Sequence, residues 1–155
     1  MRMEDAEMFD HLLLPLDLTD RNEQAIATAI DLAGLELARV TLLHVIEAIE
    51  GNEDPELADF YRRLERRAHA LLDPLVARFK ARGIAAEAVT VRGKRAASVV
   101  RWADTHDVDL IVLTSRRLDA TIPVSAWPTI SHRVALLASQ PVLLVREPTV
   151  DVDKL

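Results

Sequence analysis

The chain has 155 residues and a mass of 17.3 kDa, which predicts one domain able to bury roughly 70% of the surface its unfolded form would expose. Half the residues are hydrophobic, 28% are charged and only four are glycine, so the composition is neither disordered nor low in complexity; the absence of cysteine excludes disulfides, thiolate zinc sites, iron–sulfur clusters and a thiol nucleophile. A net charge of -6 is the wrong sign for affinity gained by releasing counterions from nucleic-acid phosphates, no stretch reaches the ~20 apolar residues of a membrane span, and a cytoplasmic protein is expected, with no nucleic-acid or membrane partner.

Residues 1–9, holding all three methionines, read as a mobile leader. HLLLPLD at 11–17 is an apolar run ending in an acid, the first strand. Asp20 and Glu23 then stand at capping-box spacing, Ile26, Ile30 and Ala33 recur at helical spacing, and Gly34 predicts the helix end. RVTLLHVI at 39–46 is the second strand. Asp54 and Pro55 open a long helix whose Leu57, Phe60, Leu64, Leu71, Leu75 and Phe79 are expected to share its buried face, with Pro74 bending or splitting it and Gly83 closing it.

IAAEAVTV at 84–91 is the third strand and leads through Arg92 and Gly93 into a short helix carrying Ala96, Val99, Val100 and Ala103. DLIVLTS at 109–115, ISHRVALLAS at 130–139 and PVLLVR at 141–146 complete the pattern as strand, helix and strand, and 148–155 form a polar tail. Alternating strands and helices, with strands apolar on both faces, predict an α/β fold built on a single open parallel five-stranded sheet covered on both sides, over residues 10–147.

The glycines, at 34, 51, 83 and 93, are too far apart for a dinucleotide fingerprint, a P-loop or a nucleophile elbow. The five histidines form no H-x-H or H-E-x-x-H pair, and His44, inside a strand, reads as a hydrogen-bonded interior residue rather than a ligand. Arg62, Arg63, Arg66 and Arg67 read as a solvated face partly neutralised by Asp59 and Glu65, or as a dock for an acidic partner.

In an open parallel sheet, ligands bind beyond the carboxyl ends of the strands. The first strand ends in Asp17 and the fourth runs into Thr114, Ser115, Arg116 and Arg117. Were these strands neighbours, a carboxylate would face hydroxyls and guanidiniums suited to a nucleotide; alternatively, Asp17 caps a turn and the arginines are solvated.

The ordered set of LLPLD, TLLHVIE, the V-x-G at 91–93, DLIVLTSRR and SHRVALLASQPVLLVR resembles the universal stress protein domain over about residues 11–146. The resemblance implies strand order 3-2-1-4-5, a Rossmann-like sheet, a cytoplasmic homodimer and, in one branch, ATP held through G-x-x-G, nine residues, then G with Ser or Thr. Here Thr114, Arg117 and Pro128 occupy the glycine positions and the gap is one residue longer, while Ser115 and Thr129 fit. Asp17 matches the acid after the first strand, and Val45 lies at the nucleotide-facing end of the second.

Pro128 has no N–H to offer a phosphate and Arg117 adds bulk where backbone must approach, so standard ATP binding is not expected. The leading expectation is a non-catalytic, dimeric stress-response protein that requires no cofactor and acts on an unidentified protein partner. The alternative is a switch holding ATP or AMP at Asp17, Val45, Ser115, Arg116, Arg117 and Thr129. The final strand, with Val142, Leu143, Leu144 and Val145, would lie at a sheet edge and join the homodimer, and Leu143→Pro would remove an edge donor.

Overall fold

The computed structural model describes residues 8–48, 54–116, 121, 123 and 129–147. The expected polar tail and the leader up to residue 7 lie outside them. Met8 and Phe9, expected in the leader, belong to the folded body: both amides donate to the Glu36 carboxylate, at 2.9 and 3.3 Å, and Phe9 packs on the interior.

Five parallel strands, β1 (His11–Pro15), β2 (Arg39–Glu47), β3 (Ala86–Gly93), β4 (Leu110–Ser115) and β5 (Val142–Arg146), lie in the order β3-β2-β1-β4-β5. Side chains alternate across a strand, and both faces here are apolar. Leu12, Leu14, Val40, Leu42, Leu110 and Val112 point to the face covered by α1 (Glu23–Glu36) and α2 (Pro55–Ala81). Leu13, Leu43, Val45, Ile111 and Leu113 point to the other, covered by α3 (Arg95–Thr105) and α4 (Thr129–Leu137). This double burial explains why the central strands read as near-continuous apolar runs, whereas β3, at the sheet edge, carries Glu87, Thr90 and Arg92.

Four local expectations need correction. Asp20 and Glu23 form no capping box: 20–22 make a single 3-10 turn, Asn22 precedes α1 without a side-chain cap bond, and the helix passes Gly34 to end at Glu36, with Leu37 in the left-handed conformation at φ 54°. Pro74 does not split α2, which runs unbroken through it; both Pro74 and Ala70 are exposed, so the carbonyl deprived of its helical donor lies toward water. The buried face of α2 is Ala68, Leu72, Val76 and Phe79, whereas Phe60 and Leu71 are 45% and 56% exposed and Leu57, Leu64 and Leu75 are half-buried. None of the first thirteen residues of α2 is fully buried, so the apolar periodicity there is only partly covered.

The predicted start of α2 is present, since the Asp54 carboxylate accepts from the Glu56 amide at 3.0 Å. Ion pairs then fasten α2 to its neighbours: Arg78 donates twice to Glu23 of α1, at 3.0 and 2.7 Å, and Arg92 of β3 donates to Glu65 at 2.7 Å while lying over the Tyr61 ring. Hydrogen bonding from Arg78 holds the Glu23 carboxyl below its ordinary pKa. Arg62, Arg63, Arg66 and Arg67 are all exposed, and Arg62 pairs with Asp59.

At the amino end of the sheet, His11 is only 2% exposed. Its Nδ1 lies 3.0 Å from the His106 carbonyl and its Nε2 2.8 Å from the Thr41 hydroxyl, which lies 3.2 Å from a Glu87 carboxylate oxygen. Trp102 meets the His11 ring edge-on and stacks on His106. A carbonyl only accepts, so Nδ1–H of His11 donates to His106, while the Thr41 hydroxyl gives its proton to Glu87.

β5 is an edge strand, as its place in the predicted order requires. In a parallel ladder, alternate residues bond to the neighbouring strand. The Ile111 amide donates to the Pro141 carbonyl and the Glu147 amide to the Ser115 carbonyl, so the odd-numbered residues of β5 face β4. Leu143 therefore spends its amide inside the sheet, contrary to expectation. The outward donors are those of Val142, Leu144 and Arg146.

Candidate functional site

β1 pairs with β2 on one side and β4 on the other, so chain connections leave it in opposite directions. Beyond its carboxyl end the diverging loops leave a crevice, the usual ligand position in such sheets. The crevice has a volume of about 210 Å³. Leu43, Val45, Val99, Leu113 and Ile130 give it apolar walls, and Asp17, Asn22, His44, Thr114 and three arginines bring polar groups.

Asp17 does both things the sequence left open: it caps a turn and lines the crevice. Its Oδ1 accepts from the Thr19 amide at 3.0 Å, the Thr19 hydroxyl at 2.6 Å and the Asn22 amide group, while Oδ2 accepts from Arg21 at 2.5 Å. The clasp on Thr19 holds the intervening Leu18 at φ 64°, an uncommon conformation for a branched side chain. Burial acts to raise the Asp17 pKa, but the bonds from Thr19, Asn22 and Arg21 outweigh it, and the carboxyl is held below its ordinary value. Its Oδ2 has acceptor capacity left for a ligand donor.

Asn22 passes the contact on. Its amide oxygen accepts from the Thr114 hydroxyl at 2.9 Å, tying the loop after β1 to the end of β4. His44 is hydrogen-bonded as expected, with Nδ1 2.8 Å from the Leu16 carbonyl, but it is half-buried and lines the crevice.

Of the residues picked out beforehand, Asp17, Val45 and Arg116 line the crevice. Ser115 does not: it is buried, and its hydroxyl accepts from Arg146 at 2.7 Å. Thr129 opens α4, and Arg117 lies outside the described residues. Sequence reasoning missed Arg21, Asn22, Arg95 and Glu147. All four follow strand ends on the carboxyl side of the sheet, the signal that singled out Asp17 and the end of β4.

Gly93 ends β3 and positions Arg95 and Val99 on the far wall. Its φ is 150°, and an added Cβ would stand 2.6 Å from the Ser98 hydroxyl oxygen. Gly93→Ala should therefore lower stability by about 1–3 kcal/mol, read by urea unfolding; an unchanged midpoint would show that the turn relaxes freely.

Residues 8–146 match the sequence model of the Universal stress protein family. The chain belongs to that family. It is similar to universal stress protein YxiE of Bacillus subtilis (strain 168), at 26% identity over 149 residues that span 90% of this chain and all of the relative. In structure it is similar to the hypothetical protein MJ0577, with a TM-score of 0.78, 22% identity and coverage of 92% of this chain and 99% of that one. Three further structures of this fold, at 20%, 21% and 16% identity, are complexes: a universal stress protein with cAMP, one from Archaeoglobus fulgidus with dAMP and one from Arabidopsis thaliana with AMP. Their TM-scores are 0.67, 0.63 and 0.65, and they cover 89%, 88% and 94% of this chain and 97%, 98% and 94% of their own. Among the described residues no helix is long and apolar enough to cross a membrane.

Proposed function

We propose that this universal stress protein is a non-catalytic, dimeric regulator that takes an adenine mononucleotide into the crevice between β1 and β4 and does not hold ATP in the family's glycine-dependent way. One observation carries the reading: the crevice, about 210 Å³ in volume, joins apolar walls to two carboxylates and three arginines. The three nucleotide complexes of similar fold support the same class of ligand. Thr114, Arg117 and Pro128 at the glycine positions argue against a cradle for a triphosphate, because backbone N–H groups and close approach are lost there. The cytoplasm and an unidentified protein partner complete the proposal.

Titration calorimetry tests it. ATP should bind no more tightly than about 100 μM, equivalent to only ~5.5 kcal/mol, and AMP more tightly than ATP. Micromolar ATP binding would overturn the reading in favour of an ATP switch, and failure to bind any adenine nucleotide would leave a purely protein-contact role.

A further inference from the structure

Glu147, the first residue after β5, reaches back over the crevice. Its Oε2 lies 4.0 Å from Nε of Arg21, in the turn before α1, and its Oε1 3.8 Å from Nε of Arg116, after β4. One carboxylate thus addresses guanidiniums from two separate segments, one oxygen to each. Both separations exceed hydrogen-bond length, so the attraction is Coulombic and loose. The carboxylate side chain is 22% exposed and the two arginines 53% and 60%, so the acid is the more buried partner.

Resting on the nucleotide reading above, we propose that Arg21 and Arg116 form a side-chain seat for a single phosphomonoester, which Glu147 occupies as an internal competitor that a nucleoside monophosphate displaces. Tetrahedral phosphate offers three oxygens where the carboxylate offers two, so it can make charge-assisted bonds to both guanidiniums at normal length. Arg21 is already oriented, since its NH2 group stays on Asp17. Glu147 can leave by side-chain rotation alone, because its amide remains anchored on the Ser115 carbonyl at 3.0 Å.

Charge balance points the same way. Arg21, Arg95 and Arg116 line the crevice against Asp17 and Glu147. With Glu147 swung out, the lining carries two net positive charges, a match for a phosphomonoester of about -1.5 to -2 at neutral pH. Two guanidiniums facing a single carboxylate match one phosphate group, and so a monophosphate better than a triphosphate.

The test compares AMP with adenosine by calorimetry on the full chain. Wild type should bind AMP more tightly than adenosine. Glu147→Gln, nearly isosteric, should strengthen AMP binding about tenfold, ~1.4 kcal/mol, and leave adenosine unchanged. Arg21→Gln and Arg116→Gln should each bring AMP down toward adenosine, and inorganic phosphate should compete with AMP but not with adenosine. If Glu147→Gln strengthens both ligands equally, Glu147 merely obstructs the mouth and the seat is refuted. If both ligands bind but all three variants keep the wild-type ratio, the seat is refuted while the nucleotide reading stands; if neither ligand binds, both fall. The phosphate competition, performed on wild type, decides the matter even where a variant fails to fold.

Discussion

Lowering the pH from 7.5 to 5.5 should destabilise the wild-type protein through His11, and His11→Asn should flatten that dependence. Burial, with Arg39 nearby, pushes the His11 pKa below its ordinary value of 6.5, against opposing pulls from the His106 and Asp107 carbonyls and Glu87. The neutral ring is therefore the form the fold favours. In the unfolded chain the imidazole takes up a proton near pH 6.5, so between that value and the lower folded pKa the unfolded state binds more protons and stability rises with pH. The contribution is fully present above about pH 6.5 and is lost as pH falls through the folded pKa.

The Thr41 hydroxyl, which donates to Glu87, lies 2.8 Å from His11 Nε2. Asparagine keeps a donor for the His106 carbonyl but cannot reach Thr41 as the ring does, so His11→Asn should cost about 1–3 kcal/mol at pH 7.5. Urea unfolding at pH 7.5, 6.5 and 5.5 measures both effects. Parallel profiles for wild type and variant would mean that other groups carry the acid sensitivity, since the four remaining histidines are common to both proteins.

The fold was legible because its determinants are local and repeated. Four of the five strands are largely apolar runs of five to nine residues, β3 being the polar exception, and each helix has a buried face, so the alternation of strands and helices implied a parallel sheet, and the resemblance supplied the strand order. The site was legible only in part. Asp17 and Arg116 could be found because they sit directly at strand ends, but Glu147 reaches the same place from β5, two strands from β1, and only the assembled sheet brings it to Arg21. Ser115 shows the converse. It adjoins Thr114 in sequence, yet alternation along the strand separates the two: Thr114 lines the crevice and Ser115 is taken up by Arg146. The α2 face misled for a different reason, because a helix that extends past its supporting sheet keeps its apolar periodicity without burying all of it.

The protein should be a homodimer joined along β5, and Leu144→Pro should dissociate it where Leu143→Pro would damage the monomer. An edge strand presents unpaired backbone groups, and Pro141, an odd-numbered residue turned toward β4, blocks none of the outward donors. Near that edge Leu143 is 38% exposed on the α1/α2 side of the sheet, and on α4, which covers the other side, Leu136 and Leu137 are 70% and 62% exposed. Two copies related by a two-fold axis would pair β5 antiparallel with β5, each satisfying the other's outward groups of Val142, Leu144 and Arg146. Proline at 144 removes the central outward donor, whereas proline at 143 removes a bond to β4 and should lower the unfolding midpoint as well. A second variant avoids backbone damage: Leu143→Glu places a charge on each edge, close to its symmetry mate, at little cost to the half-exposed monomer. Light scattering at micromolar concentration should give twice the 17.3 kDa chain mass for wild type and the monomer mass for Leu144→Pro and Leu143→Glu, with circular dichroism showing both variants folded. A wild-type mass of one chain would refute the dimer, and a dimer that survives both variants would place the interface away from β5.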